Sequence, residues 1–336
     1  MKFITIGELL LRLSPPNYEK IRTTNSFAVN FGGAEANVAV SLANLGIDST
    51  VFTVVPNNDV GKSALRYLKA NDVHTSPIIL SGERMGLYYL EEGIAVRASQ
   101  VIYDRKHSAF AEYDYTGINM ESILSGYDWL HLSGITPALS NNCKILIELA
   151  LATAKKLGMT VSFDCNFRSK LWSFDEARDI ISSYLPYVDI LIGIEPLHLM
   201  DENGHDIKDG LSMQPNYHDQ DRIFQELATR FQFKAIARHV RYVHSGSENS
   251  LKAYLYYHGK TYESKLFRFN ILDRVGGGDA FSSGLIYALM KDMTPEDIVN
   301  FSVASSVMKH SIRGDTNITD EESIMRLMSQ TFDIQR

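Results

Sequence analysis

The segment that decides the fold is DRVGGGDAFSSGLI, residues Asp273–Ile286. Three consecutive glycines precede Asp279, and the apolar residues after it recur at helical spacing. This pattern predicts a tight turn at Gly276–Gly278 and places Asp279 at the N-terminus of a helix. Bare backbone amides in such a turn, with the positive end of the helix dipole behind them, form an anion hole suited to phosphate.

Asp279 supports two interpretations. In the first, the glycines only form a turn and Asp279 is the N-cap of the helix, since Asp is a preferred N-cap residue. In the second, Asp279 accepts the proton of an attacking hydroxyl while the amides of Gly276, Gly277 and Gly278 face the phosphoryl group in transfer. The loop has neither the GK[ST] of a P-loop nor the GxGxxG dinucleotide fingerprint, which disfavours P-loop NTPases and simple Rossmann dehydrogenases.

Outward from this segment, short apolar strands alternate with amphipathic helices along most of the chain. We predict strands at 2–6, 51–55, 127–132, 160–164 and 190–194, and helices at 37–45, 59–70, 143–157 and 175–185. Such alternation predicts an α/β fold with a doubly wound, mainly parallel sheet that is flanked by helices on both faces.

Two segments, 8–31 and 78–105, interrupt this alternation with β-branched or alternating runs and no helix. They predict antiparallel strands, at 26–31, 77–80, 86–90 and 95–102, in a small sheet beside the main one. These strands carry more apolar side chains than one small sheet can bury, so we expect a homodimer through this sheet. The polar segment 201–222 is predicted to be a surface loop. All of 1–336 is interpreted as a single domain.

Composition excludes several classes of protein. The 336 residues include 40 acidic and 33 basic side chains, a net charge of −7, which argues against a nucleic-acid-binding protein. No apolar run reaches the roughly 20 residues of a membrane span. With only Cys143 and Cys165, no disulfide framework is expected, and no Cys/His cluster has zinc-ligand spacing. The apolar start is interrupted by Gly7 and Glu8, so we expect no secretory leader and a cytoplasmic location.

Two segments resemble the signatures of a known family. Asp273–Ile286 resembles the C-terminal signature of ribokinase-like (PfkB) carbohydrate kinases, and FGGAEANVAVSLANLG at 31–46 resembles the N-terminal one. The resemblance implies a ribokinase-like fold whose small β-sheet lid is built from 8–31 and 78–105. It also implies ATP and Mg²⁺ as cofactors, leaves a monovalent-cation requirement open, and suggests a dimer through the lid.

Further segments resemble the branch of the family that phosphorylates 2-keto-3-deoxygluconate to 2-keto-3-deoxy-6-phosphogluconate. They are HLSGITPALS at 131–140, FDCNFRSKLW at 163–172, YDR at 103–105 and RGD at 313–315. In this resemblance Asp279 is the catalytic base, and the amides of Gly276, Gly277 and Gly278 stabilise the transferring phosphoryl group. The implied sugar-acid site consists of Gly33, Tyr88, Tyr103, Arg105, Ile135, Arg168 and Asp315. The implied nucleotide contacts are Asn166, Gly276 and Gly278, and Gly246 is a weaker candidate.

Residue chemistry supports a sugar acid separately. A planar guanidinium binds a carboxylate bidentately, so Arg105 and Arg168 suit a substrate that carries one, whereas a neutral sugar would leave them without a partner. Each residue also has a structural alternative, namely a solvated charge, an ion pair or, for Tyr88 and Tyr103, packing within the lid. A kinase for fructose, ribose or another sugar acid, and a non-catalytic sugar-acid or nucleotide sensor, remain as alternative functions.

Three features depart from the family pattern. Ile194 and Leu197 occupy the positions of an Asn-x-x-Glu motif that helps to hold magnesium, and Glu195 is offset, so the metal ligands are unknown. The segment 237–249 matches the family's nucleotide segment poorly, and Gly246 or Arg241 are its candidates. Finally, Arg274-Val275 replace two threonines that commonly precede the glycines.

Overall fold

The computed structural model describes residues 1–329. The strands are β1 (Lys2–Ile6), β2 (Leu10–Ser14), β3 (Ala28–Gly32), β4 (Asp48–Phe52), β5 (Val54–Val55), β6 (Ile79–Leu80), β7 (Leu87–Glu91), β8 (Gln100–Asp104), β9 (Trp129–Ser133), β10 (Thr160–Asp164), β11 (Ile190–Ile192), β12 (Ala235–Val243), β13 (Glu248–Tyr257), β14 (Lys260–Glu263) and β15 (Phe267–Asn270). The helices are α1 (Ala34–Asn44), α2 (Asp59–Ala70), α3 (Ala109–Glu112), α4 (Met120–Leu124), α5 (Asn141–Lys156), α6 (Phe174–Tyr184), α7 (Tyr217–Phe231), α8 (Gly277–Met290), α9 (Pro295–Lys309) and α10 (Glu321–Ser329).

The main sheet has the order β14-β13-β12-β11-β10-β9-β1-β4, with β15 also paired to β13. The six strands from β12 to β4 run parallel, and β13, β14 and β15 form an antiparallel edge. The sequence pattern does not predict this edge. A connection of only four residues joins β12 to β13, and so short a connection allows only antiparallel pairing.

Helices cover both faces of the main sheet and form two hydrophobic cores. Helices α1, α2, α8, α9 and α10 bury their apolar residues in one core, and α3 to α7 bury theirs in the other. Strand β1 shows how the sheet divides them, because Phe3 belongs to one core and Ile4 to the other, as alternation along a strand requires. The predicted doubly wound α/β fold is confirmed.

A separate four-stranded sheet, which we call the small sheet, has the order β3-β2-β7-β8. Its existence beside the main sheet was predicted and is confirmed. Antiparallel pairing holds for β2–β3 and β7–β8, but it is wrong for β2–β7, which pair in parallel. Because the chain passes through β3, α1, β4, β5, α2 and β6 between β2 and β7, the two strands can enter the sheet in the same direction.

One predicted strand pairing and two predicted boundaries are wrong. The run at 77–80 does not join the small sheet, since Ile79–Leu80 pairs in parallel with Val54–Val55. The strand predicted at 95–102 begins only at Gln100, after Ala95 adopts a left-handed φ of 52°. The loop predicted at 201–222 ends earlier, because the Asn216 side chain accepts a hydrogen bond from the amide of Asp219 and begins α7.

Within residues 1–329, no helix combines the length and the apolar character that a membrane crossing requires. Cys143 and Cys165 are free thiols, and both are buried.

Candidate active site

The candidate active site is a cleft at the carboxyl edge of the parallel strands, where ligands bind in open α/β sheets. β10 ends there at Asp164, and the small sheet contributes Tyr88 and Tyr103 from the other side. The cavity volume is about 490 Å³. Among the predicted site residues the cleft brings together Gly33, Tyr88, Tyr103, Arg105, Ile135, Asn166, Arg168, Gly276, Gly277, Gly278, Asp279 and Asp315.

The glycine turn forms the start of α8. Gly276 is the N-cap with a left-handed φ of 81°, and a Cβ there would lie 1.8 Å from the Asp315 carbonyl oxygen, so only glycine fits. The first amides of a helix have no acceptor within it, and those of Gly277 and Gly278 belong to residues that line the cleft. Asp279 is the third residue of α8, so the interpretation of Asp279 as N-cap is wrong.

Asp279 is a buried carboxylate with one strong neutral partner. Its Oδ2 accepts a hydrogen bond of 2.6 Å from Asn37 Nδ2, and only 9% of the residue is exposed. Burial raises the pKa of Asp279 to about 6, against the lowering effects of the Asn37 bond and the Arg168 charge. Because a carboxylate with this pKa is mostly ionised at pH 7 and more basic than an ordinary Asp, it suits proton abstraction.

Three further carboxyl groups that line the cleft, those of Asp164, Glu35 and Asp315, have pKa values that burial raises. Burial, and then the charge of Asp279, raise the pKa of Asp164 to about 7. Burial also raises the pKa of Glu35 to about 7, although Ser133 and Thr136 each donate a 2.8 Å hydrogen bond to it. With Asp279, the cleft therefore holds four acids with raised pKa values, and together they carry fewer than four negative charges at neutral pH.

Arg105 already has a protein partner. Glu8 Oε2 accepts a 2.8 Å hydrogen bond from Arg105 Nε and also contacts its Nη2, while Glu8 Oε1 accepts from Ser108 Oγ. The expectation that a neutral sugar would leave Arg105 without a partner is therefore wrong. The alternative that Arg105 is a solvated charge is also wrong, since only 9% of the residue is exposed. Arg105 lies 5.8 Å from the centre of the Tyr103 ring, and Tyr103 is 39% exposed.

Asp315 belongs to a buried ionic network under the glycine turn. Its Oδ1 is 2.9 Å from Arg12 Nη1, and its Oδ2 accepts a hydrogen bond from the Tyr88 hydroxyl. Arg12 is 1% exposed and also pairs with Asp273 at 2.8 Å and with Glu92 at 3.1 Å. Asp273 Oδ1 in turn accepts from the Val275 amide at 3.1 Å. Arg12 thus ties strand β2 of the small sheet to the segment that carries the glycines.

Gly246 is the one predicted residue that the structure does not bring into the cleft. Its amide donates to the Ala95 carbonyl at 2.8 Å, and its carbonyl accepts from Arg274 Nη2 at 2.9 Å. Its nucleotide contact remains a prediction. Gly33 does line the cleft, and a Cβ there would lie 2.2 Å from the Glu8 carbonyl oxygen, so β3 and the segment after β1 approach each other closely.

The described side chains contain no cluster of the size that ligates a metal ion by protein groups alone. No group of three or more His, Cys, Asp and Glu residues within 1–329 is arranged to hold a metal ion. Glu195 pairs with Lys208 Nζ at 3.1 Å, and Ile194 and Leu197 are buried apolar residues. The donor set expected for magnesium in this family is therefore not reproduced by these residues.

Sequence reasoning missed several residues that hold the site together, namely Glu8, Arg12, Glu35, Asn37 and Lys309. Two of them carried a signal, because Glu35 and Asn37 are polar residues in the otherwise apolar segment FGGAEANVAVSLANLG. Lys309 is fully buried near the glycine turn, and its Nζ donates to the Ile312 carbonyl at 2.9 Å.

A doubly wound sheet with a glycine turn and a helix N-terminus at its carboxyl edge is suited to a ligand that carries phosphate. The model for pfkB family carbohydrate kinases matches residues 2–321, so the chain belongs to this family and is a carbohydrate kinase. The family predicted from the two signature segments is confirmed.

Three similar proteins are carbohydrate kinases, and two of them are named as kinases of sugar acids. The 2-dehydro-3-deoxygalactonokinase of Haloferax volcanii is 31% identical over 330 residues, which cover 97% of this chain and 96% of that one. The crystal structure of 2-dehydro-3-deoxygluconokinase from Thermotoga maritima matches with a TM-score of 0.91 and 38% identity, covering 98% and 99% of the two chains. A PfkB family carbohydrate kinase from Listeria grayi matches with a TM-score of 0.88 and 34% identity, covering 98% and 100%.

Proposed function

We propose that the protein phosphorylates 2-keto-3-deoxygluconate (2-dehydro-3-deoxygluconate) with ATP, giving 2-keto-3-deoxy-6-phosphogluconate and ADP. The observation that carries this proposal is the placement of Asp279. Its carboxylate is buried in the cleft, is held by Asn37 and lies in the first turn of α8, next to the glycine turn. A base and an anion hole side by side are what transfer of a phosphoryl group to a hydroxyl requires.

In the proposed mechanism, the terminal hydroxyl of the sugar acid attacks the γ-phosphorus of ATP. Asp279 accepts the hydroxyl proton as the new O–P bond forms, and the bond to ADP breaks on the opposite side. Amides of Gly276, Gly277 and Gly278 stabilise the charge on the transferring group, and Asn37 keeps the Asp279 carboxylate oriented. Mg²⁺ supplied with ATP would offset part of the phosphate charge, and no residue of this chain is assigned to hold it.

Arg168 supports a substrate with a carboxylate. It lines the cleft, is exposed, and forms no ion pair with any residue in the range 1–329. Since Arg105 is bound to Glu8, Arg168 is the better candidate for the bidentate contact. Arg168→Lys should raise the KM for the sugar acid more than the KM for ATP, and an equal rise in both would assign Arg168 to the phosphates.

A second candidate substrate is the galactonate epimer, 2-keto-3-deoxygalactonate. The relative from Haloferax volcanii, which covers nearly the whole chain, favours it. A coupled ADP-release assay with both epimers, fructose and ribose distinguishes the candidates. Turnover of either epimer and not of the neutral sugars is expected, and turnover of fructose or ribose alone would refute a sugar-acid kinase.

Asp279→Asn tests the assigned base. The amide keeps the shape of the side chain but does not accept the proton, so kcat should fall about 10²- to 10⁴-fold while ATP still binds. ATP binding by titration calorimetry is the control for the fold. Turnover within a few-fold of the unmodified protein would remove Asp279 from this role.

We also propose that the small sheet acts as the lid of the cleft and forms a homodimer. Val29 is 59% exposed and Ile102 is 44% exposed on strands of this sheet, and Phe27, 36% exposed, lies next to β3. Burying these side chains against a second copy removes apolar surface from water. Light scattering at micromolar concentration should give twice the mass of one chain, and a mass of one chain would contradict the dimer.

A further inference from the structure

Three arginines converge on the cleft from different parts of the chain. Arg168 follows β10, Arg241 lies on β12, and Arg274 precedes the glycine turn, and all three line the same cavity. No carboxylate in the described part of the chain pairs with any of them. The single side-chain hydrogen bond among the three runs from Arg274 Nη2 to the Gly246 carbonyl, at 2.9 Å.

Arg241 and Arg274 line the same cavity as the glycine turn. His239 shares a face of β12 with Arg241, since residues two apart on a strand point the same way. Its ring lies 3.9 Å from the position that a Cβ on Gly278 would take. Arg274 is two residues before Gly276 in the chain. Both arginines therefore belong to the same cavity wall as the residues that start α8.

The electrostatics of this wall of the cleft favour an anion. Burial lowers the pKa of Arg241, and the charges of Arg274 and Arg168 lower it further. Burial, and then the charge of Arg241, lower the pKa of His239 to about 4. His239 therefore adds no charge at neutral pH. Arg241 and Arg274 carry like charges that repel each other, and a bound anion relieves that repulsion.

The number of arginines indicates which kind of anion the cleft would bind. In the proposed function Arg168 binds the single carboxylate of the sugar acid. Arg241 and Arg274 then remain for a group with at least two negative charges. Guanidinium forks bind phosphate oxygens bidentately. Together with the amides of the glycine turn, these two arginines can offset the charge of a polyphosphate in the cleft.

We propose that Arg241 and Arg274 form a subsite for the polyphosphate of the nucleotide. The identity of the anion rests on the proposed kinase function, whereas the subsite itself is testable by binding alone. Within residues 1–329, Arg241 makes no side-chain hydrogen bond or ion pair that would explain its place in the cleft, so it is the sharper probe. Arg274 has a second role in holding Gly246.

The test is titration calorimetry without sugar, using ATP, inorganic tripolyphosphate and adenosine on the full chain. The proteins are the unmodified enzyme, Arg241→Met, Arg274→Lys and the control Arg268→Met, which removes an arginine paired with Glu248 on β15 outside the cleft. For Arg241→Met the Kd of ATP and of tripolyphosphate should rise about tenfold or more, because a bond to a charged group is lost. The Kd of adenosine should stay unchanged. Arg274→Lys should weaken ATP less than Arg241→Met does, because the charge remains.

Added salt provides a second readout. Since ionic contacts are screened, the Kd of ATP should rise with salt more steeply for the unmodified protein and Arg268→Met than for Arg241→Met. An unchanged Kd of ATP in Arg241→Met, or an equal loss for adenosine and ATP, would overturn the subsite. If no sugar acid is phosphorylated but Arg241→Met still weakens ATP and tripolyphosphate, the proposed reaction fails and the subsite stands.

Discussion

Replacement of Glu35 by Gln tests the electrostatics of the cleft without touching its chemistry. Glu35 is 2% exposed, and burial raises its pKa from 4.5 to about 7. A carboxyl group whose pKa is higher in the folded than in the unfolded protein stabilises the fold fully below the unfolded pKa of 4.5. That contribution is lost as the pH rises through 7, because the buried group must then carry a charge. A glutamine side chain at this position would be neutral at every pH.

The size of the effect follows from the shift. A rise of the pKa from 4.5 to about 7 corresponds to a stabilisation of about 3 kcal/mol at 1.36 kcal/mol per pH unit, and nearly all of it is lost above pH 7. At pH 5 less than about 1 kcal/mol has been lost, so Glu35→Gln should gain about 2 kcal/mol relative to the unmodified protein between pH 5 and pH 8. The amide nitrogen that Glu35→Gln introduces costs about 1 to 3 kcal/mol of stability if it finds no acceptor. This cost is the same at every pH, so it does not affect the difference between pH 5 and pH 8.

The measurement is the free energy of unfolding from urea titrations at pH 5, 6, 7 and 8. Glu83→Gln, at an exposed position, is the matched control for loss of one charge. The titrations of Asp164 and Asp279 occur in both proteins and largely cancel in the difference. A difference between Glu35→Gln and the unmodified protein that stays constant from pH 5 to pH 8 would show that Glu35 does not titrate with a raised pKa, and the account of the cleft would fail there.

Two further predictions concern Asp279 and Arg12. Because the base must be unprotonated, kcat/KM should fall as the pH drops through about 6. Asn37→Ala should move this acidic limb of the pH profile to higher pH, since the Asn37 hydrogen bond lowers the pKa of Asp279. An acidic limb at the same pH in the variant would exclude Asn37 as the partner of Asp279. Arg12→Met should lower the free energy of unfolding by about 3 to 5 kcal/mol, because it leaves buried Asp273 and Asp315 without their cation. The matched change Arg84→Met, in an exposed pair with Asp104, should cost at most about 1 kcal/mol, and equal losses would contradict the buried network.

The sequence predicts those parts of the fold that local pattern determines. Strand β10 is found at Thr160–Asp164 as predicted, because a short apolar run is followed directly by a turn-forming Asp. Strand β12 is missed because AIARHVRYV places Arg238, His239 and Arg241 among its apolar residues and hides the period of two. The parallel pairing of β2 with β7 is equally invisible, since it depends on the chain between them and not on either strand.

The candidate site divides in the same way. The glycine turn was recognised because its glycines and Asp279 are adjacent in the chain. The sequence does not reveal the partner of Arg105, because Glu8 lies 97 residues away and nothing in either segment indicates the other. Arg12 and Asp315 are 303 residues apart, and their pairing was missed for the same reason. Long-range ion pairs of this kind arise from tertiary packing, which a local pattern does not encode.

The overall charge of −7 and the proposed anionic ligands are compatible once the cleft is considered by itself. At physiological ionic strength, charges beyond a Debye length of about 8 Å are largely screened, so the potential at the glycine turn depends on nearby groups. Those groups are Arg168, Arg241 and Arg274, which are unpaired with acids in the described chain, and carboxyl groups whose raised pKa values reduce their negative charge. Burial therefore acts twice in favour of an anion, because it neutralises part of the acid in the cleft while the arginines stay charged. The acidic surplus elsewhere on the surface opposes a nucleic-acid partner without opposing a phosphate site.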